Sequence, residues 1–425
     1  MSRAHKHLLR WAALLATVTL IGATGVSDGV AAGNFPSVNQ PGVTDKEIRV
    51  GGVVVVTNNV TGVSYGGAFD GVNAYFAYVN SQGGVYGRRL VLASKRDDTF
   101  SNNRQAVQGL LGDNVFAALP LATALFSGAQ LLVDAKIPAF GWDIQCEYGC
   151  EENTPGPPNL FGAAGSFICF TCGYQGANQF LAKALHRQRI GIIGYNVKQS
   201  ADCATGAKKA FEKTNAGKVV FEDNSLVFGS PDFKNTVSQM KSKNVNFVIS
   251  CIDFQGDLNM IKEAQLQGLD AFQAFPNAYE HKFIKENQQF VNGDYLFTLF
   301  APPFETKPAP KGAKLYVKWL KKTGGKDSEN TVFGWINAAQ FVAGLKAAGP
   351  DFTRQKVIDA VNQMTNFTAD GLLAGVDWTK AHTTPGTCFS ILKIVNGKFK
   401  PVYTKPGKPF ACFDLNDTTL KLTNK

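Results

Sequence analysis

The chain has 425 residues, enough for two or three domains, and carries 43 Lys and Arg against 33 Asp and Glu, a formal net charge of +10. Its basic residues are scattered and form no run interleaved with aromatic residues, which argues against nucleic-acid binding. Beyond the N-terminal segment no apolar run is long enough to cross a bilayer, which argues against a multi-span membrane protein.

The N-terminal segment is typical of a secretory signal. Basic residues precede an apolar run over 11–26, and residues 30–32 (Val-Ala-Ala) offer the small side chains that a signal peptidase requires. We therefore predict a signal peptide over 1–32 and an exported protein of the periplasm, cell envelope or extracellular space. An uncleaved membrane anchor is the alternative, although polar and glycine residues interrupt the run.

The region after residue 43 alternates between strand and helix patterns. Residues 48–56 form a nearly continuous apolar run, typical of a strand buried on both faces. Helical spacing follows at Phe69, Val72, Phe76 and Val79. Further strands are predicted at 89–96, 115–119 and 137–140, with a helix capped by Ser101 and another at 128–135. This alternation predicts a parallel, doubly wound sheet.

A second alternation begins after the irregular stretch 147–158. It predicts strands at 189–194, 218–228, 247–251, 271–275 and 295–300, and helices at 175–186, 201–214, from 230, 256–267, 313–322, 332–348 and 354–363. The chain closes with a predicted hairpin whose turn is Asn396-Gly397.

Irregular crossings near 150–162, 301–310 and 370–386 divide the chain into two discontinuous α/β lobes. We predict an N-terminal lobe over 44–161 plus 302–376, and a C-terminal lobe over 162–301 plus 377–425. Two lobes joined by three crossings predict a cleft between the carboxyl ends of both sheets.

The loop after the first strand contains Gly62-Val63-Ser64-Tyr65-Gly66, which matches the G-x-S-x-G pattern of serine hydrolases. Ser64 follows the strand by about eight residues, too far for a nucleophile elbow, and neither His281 nor His382 stands in a convincing position for the base. A hydrolase using Ser64 therefore remains the minor alternative. The favoured interpretation is a ligand-binding loop in which Ser64 and Tyr65 contact a bound molecule.

Eight cysteines follow the predicted signal, an even number that indicates disulfides in an exported chain. Two pairings are predicted: Cys388 with Cys412 across the hairpin, and Cys203 with Cys251 beside the cleft. The close pairs Cys146/Cys150 and Cys169/Cys172 are interpreted as disulfides too, with a zinc ribbon as the alternative.

The stretch TGVSYGGAFDGVNAYFAYVNSQGGVYGRRLVLASKRDD, residues 61–98, resembles the opening of the type I solute-binding proteins of ABC importers, in the leucine/isoleucine/valine branch. Later strand–helix units, such as AKIPAFG and RIGIIGYN, are similar to that family as well, and the resemblance covers about 43–378. It implies a type I periplasmic-binding-protein clamshell, two doubly wound parallel-sheet lobes with a three-crossing hinge. It also implies a monomer without cofactor or catalysis that captures a small molecule and delivers it to ABC permease subunits in the membrane.

The resemblance implies a set of ligand-binding positions in the loops that follow the strands. Thr123 matches the family's carboxylate-binding hydroxyl, Trp142 and Asp143 replace its next contacts, and the second lobe offers Tyr195, Gln199, Asp253, Phe254 and Tyr279.

The acidic residue that grips an ammonium group in the family has no direct counterpart, since Glu280 stands slightly late. The ligand therefore stays open between a molecule like a branched-chain amino acid, an amide and an aromatic acid. A clamshell that senses a ligand for a signalling receptor is the alternative function.

Overall fold

The computed structural model describes residues 35–57, 61–151, 154–173 and 176–425. The predicted signal peptide over 1–32 lies outside these residues. Within the described part of the chain, no helix combines the length and the apolar character needed to span a membrane.

The first sheet is built from the N-terminal half of the chain. Its strands are β1 (Glu47–Val54), β2 (Arg89–Asp97), β3 (Ala117–Ala122), β4 (Ala139–Gly141) and β5 (Leu160–Gly162). They are all parallel, in the order β2-β1-β3-β4-β5. The helices between them are α1 (Gly67–Asn80), α2 (Asn103–Leu111) and α3 (Ala129–Asp134). The buried faces of this sheet explain the long apolar run of β1.

The second sheet follows the same alternation. Its helices are α4 (Gly176–Ala184), α5 (Lys198–Thr214), α6 (Lys234–Ser242), α7 (Phe254–Gln267), α8 (His281–Glu286) and α9 (Gln288–Val291). Its strands are β6 (Arg189–Tyr195), β7 (Lys218–Leu226), β8 (Phe247–Cys251), β9 (Phe272–Phe275), β10 (Tyr295–Thr298), β11 (Cys388–Val395), β12 (Lys398–Val402), β13 (Ala411–Cys412) and β14 (Thr423–Asn424). The order is β14-β13-β11-β10-β9-β8-β6-β7, with β12 also paired to β11. Strands β6 to β10 pair in parallel, and β11 to β14 pair antiparallel.

Between β10 and β11 the chain returns to the first sheet. It forms α10 (Lys311–Thr323), α11 (Glu329–Ala348) and α12 (Arg354–Asn362), and α11 packs closely along α1. Gly71 of α1 lies against the Thr331 backbone, and Gly334 of α11 lies against the Ala68 backbone, so a Cβ at either glycine would collide with the facing helix. Helix α11 is apolar around most of its circumference because it is buried on nearly all sides.

This mixed α/β architecture with parallel sheets confirms the predicted fold class. The lobe boundaries at 161, 301 and 376 stay a prediction. Some element bounds differ: the strand predicted at 295–300 ends at Thr298, and the helix predicted to follow a Ser101 cap has Asn102 at that position without a side-chain capping bond. The short β5, β13 and β14 were not predicted, because two or three residues carry no periodicity.

Candidate functional site

A cavity of about 560 Å³ lies where the carboxyl ends of the two sheets meet. Loops after β1, β3 and β4 line one side, and loops after β6, β8 and β9 line the other. The crossing segment at 164–170 and the region around Phe389 complete the wall. The size is typical of pockets that enclose an entire small molecule.

The wall of this cavity is predominantly apolar and aromatic. Residues that sequence reasoning did not identify contribute much of it: Phe100, Ile144, Phe167, Ile168, Phe170, Phe228, Ile249, Phe275, Phe297, Leu299, Phe333 and Phe389. Asp143, Asp253 and Glu329 are the charged residues among the described lining residues, which include no Lys, Arg or His. The cavity therefore offers a ligand mainly hydrocarbon surface, with neutral polar side chains such as Gln199, Ser200 and Asn277 among the lining residues.

Six of the ten predicted site residues line the cavity: Tyr65, Trp142, Asp143, Tyr195, Gln199 and Asp253. The rings of Tyr65 and Trp142 lie 5.4 Å apart and tilted, so the first sheet presents a continuous aromatic surface. The structure thus brings together residues from both sheets, as the predicted cleft requires.

The other four predicted site residues are not among the described residues that line the cavity. Ser64 is exposed, Thr123 is buried with its carbonyl accepting a 2.6 Å hydrogen bond from Gln145 Nε2, and Phe254 packs 4.3 Å from the Phe283 ring. Tyr279 points its hydroxyl to Glu305 Oε2 at 2.6 Å. The ring contact of Phe254 and the hydrogen bond of Tyr279 hold these two side chains outside the cavity wall.

Asp253 has a structural task in this site. Its Oδ1 accepts hydrogen bonds from the backbone N–H groups of Gln255 and Gly256, at 3.0 and 3.1 Å, and so caps α7. Its Oδ2 accepts a 2.5 Å hydrogen bond from the Tyr195 hydroxyl. Burial raises the pKa of this carboxyl, while the hydrogen bonds from Tyr195 and the backbone lower it. Asp253 therefore fixes the Tyr195 ring at the cavity wall.

Trp142 and Asp143 follow β4 and are both 2% exposed. Asp143 Oδ2 accepts a 2.9 Å hydrogen bond from Ala164 N, but its Oδ1 and the Trp142 Nε1 have no partner among the described protein groups. Burial raises the pKa of Asp143 to about 6, and burial raises the pKa of Glu329 to about 7. Buried polar atoms without partners are uncommon in folded proteins.

Several contacts join the two sides of the cavity. Gln199 Nε2 donates to Gln145 Oε1 at 2.5 Å, and the rings of Phe100 and Phe228 lie 5.1 Å apart. Near the first-strand loop, Gln255 N donates to the Thr61 carbonyl at 3.0 Å. These contacts hold the two sides of the cavity together in this structure.

The structure pairs all eight cysteines in four disulfides: Cys146–Cys150, Cys169–Cys172, Cys203–Cys251 and Cys388–Cys412. The alternative of a zinc ribbon needs four thiolates in one cluster, whereas Cys146, Cys150, Cys169 and Cys172 are bonded in local pairs. Cys203 and Cys251 tie the start of α5 to the end of β8, and both residues line the cavity.

Ser64 is not placed for nucleophilic catalysis. Its backbone N donates to Glu280 Oε1 at 3.3 Å and its carbonyl accepts from the Ser328 hydroxyl at 3.4 Å. The ring nitrogens of His281 lie 2.8 Å from Glu305 and 2.7 Å from Asp327. A catalytic triad requires a histidine against the serine hydroxyl, and this arrangement does not supply one.

The family model described as "Periplasmic binding protein" matches residues 47–398. The chain therefore belongs to the periplasmic binding protein family, which confirms the predicted family resemblance. No curated protein sequence gives a significant match.

Solved structures of this class share the fold. A fatty acid ABC transporter substrate-binding protein from Thermomonospora curvata has a TM-score of 0.72 at 22% identity, covering 90% of this chain and 97% of that one. A branched chain amino acid ABC transporter protein from Thermus thermophilus with bound valine has a TM-score of 0.70 at 18% identity, covering 85% and 96%. A solute-binding protein from R. palustris in complex with benzoate has a TM-score of 0.68 at 16% identity, covering 87% and 98%.

Proposed function

We propose that the protein is an extracytoplasmic binding protein that captures a mostly apolar small molecule between its two sheets and delivers it to an ABC permease. The observation that carries this proposal is the closed aromatic cavity of about 560 Å³, walled by residues of both sheets. Membership of the periplasmic binding protein family supports capture and delivery over catalysis.

The cavity argues for an apolar ligand and against an amino acid. A free amino acid needs a partner for its carboxylate and one for its ammonium group, because a buried charge without a partner is costly. The described lining residues include no Lys, Arg or His to pair with its carboxylate, and Thr123, the expected carboxylate ligand, is not among them. Among the similar structures, one protein is named for fatty acid transport and two others hold valine and benzoate. The large apolar and aromatic lining here matches the hydrocarbon part of a fatty acid or an aromatic compound better than the small side chain of valine, and the lack of a cation counts against a free carboxylate on any of them.

Apolar contact is large enough to supply the affinity that capture requires. Micromolar binding corresponds to about 8 kcal/mol. Burial of roughly 300 Å² of apolar ligand surface contributes about 7 to 8 kcal/mol at ~25 cal/mol per Å², before the entropic costs of association. A single hydrogen bond adds only about 1 kcal/mol, so it contributes more to the orientation of the ligand than to its affinity.

Binding should also shift the protein from an open to a closed form. Contacts from both sheets reach the ligand only when the cavity is closed, so the ligand stabilises that form by its differential affinity. The cross-cavity pairs Gln145–Gln199 and Phe100–Phe228 would be broken in an open form.

Mass spectrometry of the molecules that co-purify with the protein tests the ligand class. We expect apolar compounds, and we expect a thermal-shift screen to rank fatty-acid-sized and aromatic compounds above leucine, isoleucine and valine. Stabilisation by a branched-chain amino acid alone would contradict the proposal. Loss of uptake of the identified ligand in a deletion strain would support an importer, whereas normal uptake with a lost transcriptional response would support the sensor alternative.

A further inference from the structure

His281, the first residue of α8, lies between two carboxyl groups that belong to other segments of the chain. Its Nε2 is 2.8 Å from Glu305 Oε1, and its Nδ1 is 2.7 Å from Asp327 Oδ2. A neutral imidazole carries only one N–H, so one of these two contacts would join two acceptors unless both ring nitrogens are protonated. The geometry therefore indicates a cationic imidazole ring between two carboxylates.

Tyrosine hydroxyls occupy the second oxygen of each carboxylate. The Tyr279 hydroxyl donates to Glu305 Oε2 at 2.6 Å, and the Tyr316 hydroxyl donates to Asp327 Oδ1 at 2.7 Å. Both carboxyl groups thus accept on both oxygens, as ionised groups do. Among the described residues, the ion pairs of Glu305 and Asp327 are those with His281. We refer to His281, Glu305 and Asp327 as the ionic clasp.

The ionic clasp joins the two sheets. His281 begins the helix that follows β9 of the second sheet. Asp327 lies between α10 and α11, which pack against α1 of the first sheet, and Glu305 lies in the crossing between β10 and α10. The rings of Phe304 and Phe399 also pack against the imidazole, with centroids 5.4 and 5.0 Å away, and bring no charge.

The ionic clasp is also continuous with the cavity wall. Asn277 lines the cavity, and two residues later Tyr279 N donates at 2.9 Å to Glu329 Oε2, whose residue lines the cavity as well. Glu280 Oε1 then accepts a 3.3 Å hydrogen bond from Ser64 N, in the loop that leads into α1. A displacement of this short segment would therefore move part of the wall that surrounds a ligand.

We propose that the ionic clasp couples protonation of His281 to ligand capture, so that the protonated ring holds the two sheets together around the ligand and its deprotonation favours the open form. This inference rests on the proposed function, because it concerns the closure that capture requires there. A ligand and a proton then stabilise the same closed form, and each increases the affinity for the other.

The direction of the pH effect follows from the surroundings of His281. Burial lowers the pKa of His281, but Asp327 and Glu305 raise it more, to about 9. A ring in water has a pKa of about 6.5, so closure takes up a proton between about pH 6.5 and 9, and affinity falls as pH rises through this window. Burial, aided by the charges of Glu329 and Asp327, raises the pKa of Glu280 to about 8, which acts in the same direction.

The test is calorimetric titration between pH 6.5 and 9 with decan-1-ol and 2-naphthalenemethanol, two apolar probes that do not ionise in this range. It compares the wild type with His281→Gln, which has no cation, and with His281→Lys, which keeps one up to about pH 10. The His281 side chain is 36% exposed, which leaves room for the longer lysine. Lys282→Gln, at the exposed next position, is the control.

We expect the affinity of the wild type and of Lys282→Gln to fall at least about tenfold across the window. The fall should be at least about fivefold smaller in both His281 variants, and at pH 6.5 only His281→Gln should bind about tenfold more weakly than the wild type. Glu280 and Glu329 titrate in all four proteins, so the difference between proteins isolates His281. Thermal melts verify folding, and His281→Lys alone decides if His281→Gln is unfolded.

The outcomes separate the inference from the proposed function. The same fall in the wild type and in both His281 variants would overturn the inference and leave apolar capture intact. If neither probe binds, small-angle scattering of the ligand-free proteins decides: a radius of gyration that rises with pH only when His281 is present supports the inference, and one that is constant or rises equally in all overturns it. Failure of both probes with binding of leucine instead would overturn the proposed function, whatever the scattering result.

Discussion

Gln199 donates from Nε2 to Gln145 Oε1 at 2.5 Å and thereby joins the beginning of α5 to the loop after β4 across the cavity. Gln145 is itself fixed, because its Nε2 donates to the Thr123 carbonyl at 2.6 Å. This chain of two hydrogen bonds connects the two sheets across the cavity. Removal of one of these hydrogen bonds should weaken the contact between the two sides of the cavity without altering either sheet.

Gln199→Ala should lower ligand affinity by about three- to tenfold, because one hydrogen bond of the closed form is worth about 0.5–1.5 kcal/mol. Thermal stability without ligand should change little. Isothermal titration with the co-purified ligand measures the first effect, and Gln105→Ala on the exposed face of α2 is the control. Equal affinity in Gln199→Ala and the control would show that this hydrogen bond does not contribute to closure.

Trp142→Ala should reduce ligand affinity by at least about tenfold, because it removes a large aromatic wall of the cavity. Trp319 is also buried but lies in α10, away from the cavity, so Trp319→Ala is the matched control. Both variants should lose about 3–5 kcal/mol of stability, which is typical of Trp-to-Ala changes in a core. Titration at a temperature where both remain folded should show weak binding only for Trp142→Ala; the same affinity in both variants would remove Trp142 from the site.

Ionisation of the buried Asp294, which lies just before β10, should make the protein less stable as pH rises. Its Oδ1 accepts a 2.8 Å hydrogen bond from Gln273 N, and burial raises the pKa of this carboxyl to about 8. The folded pKa lies above the unfolded value of about 3.9, so the stabilisation is complete below about pH 4 and is lost as pH rises to about 8.

Asp294→Asn cannot ionise and keeps an oxygen for Gln273 N. We expect it to be more stable than the wild type at pH 8.5 by on the order of 2 kcal/mol and nearly equal at pH 4.5, in urea unfolding. The exposed Asp134→Asn in α3 serves as the control. A wild-type pH profile with the same slope as that of Asp294→Asn would contradict this assignment. Other buried groups, among them Glu280 and Glu329 with pKa values raised to about 8 and about 7, contribute equally to the slopes of both proteins.

A disulfide that closes a longer loop should contribute more to the free energy of unfolding than one that closes a shorter loop. Cys203 and Cys251 are 48 residues apart, and Cys146 and Cys150 are 4 apart. Chain-entropy arguments give about 4 kcal/mol for the longer loop and about 2 kcal/mol for the shorter one. Urea unfolding of the two double Cys→Ala variants should show the larger loss for the 203/251 pair; equal losses would mean that local packing, and not loop closure, decides.

The elements of the fold were largely predictable because each one carries a local pattern. Phe69, Val72, Phe76 and Val79 recur at helical spacing, and all four are buried on α1. The return of α10 to α12 to the first sheet was predicted from irregular crossings and resemblance. Periodicity alone does not specify which sheet a helix packs against, because that choice depends on contacts between distant segments such as α1 and α11.

The residues that line the cavity were only partly predictable, because the sequence does not specify which side chains of a loop face the ligand. Tyr195 ends β6 and Trp142 follows β4, and the carboxyl ends of both strands lie at the cavity. Sequence reasoning therefore identified both residues. Asn277 adopts a left-handed conformation, with φ of 51°, so the chain turns there: Asn277 lines the cavity and Tyr279 is directed into the interior. Phe167 and Phe389 reach the wall from crossing segments, whose irregular sequence carries no signal of which side chains face a ligand.

The measurement that tests the central claim most directly is a crystal structure of the protein with its co-purified ligand. The account predicts an apolar molecule enclosed between the Trp142 and Tyr195 sides of the cavity, in contact with residues from both sheets. A ligand bound elsewhere, or a structure in which the two sheets form one body with no space between them, would contradict it.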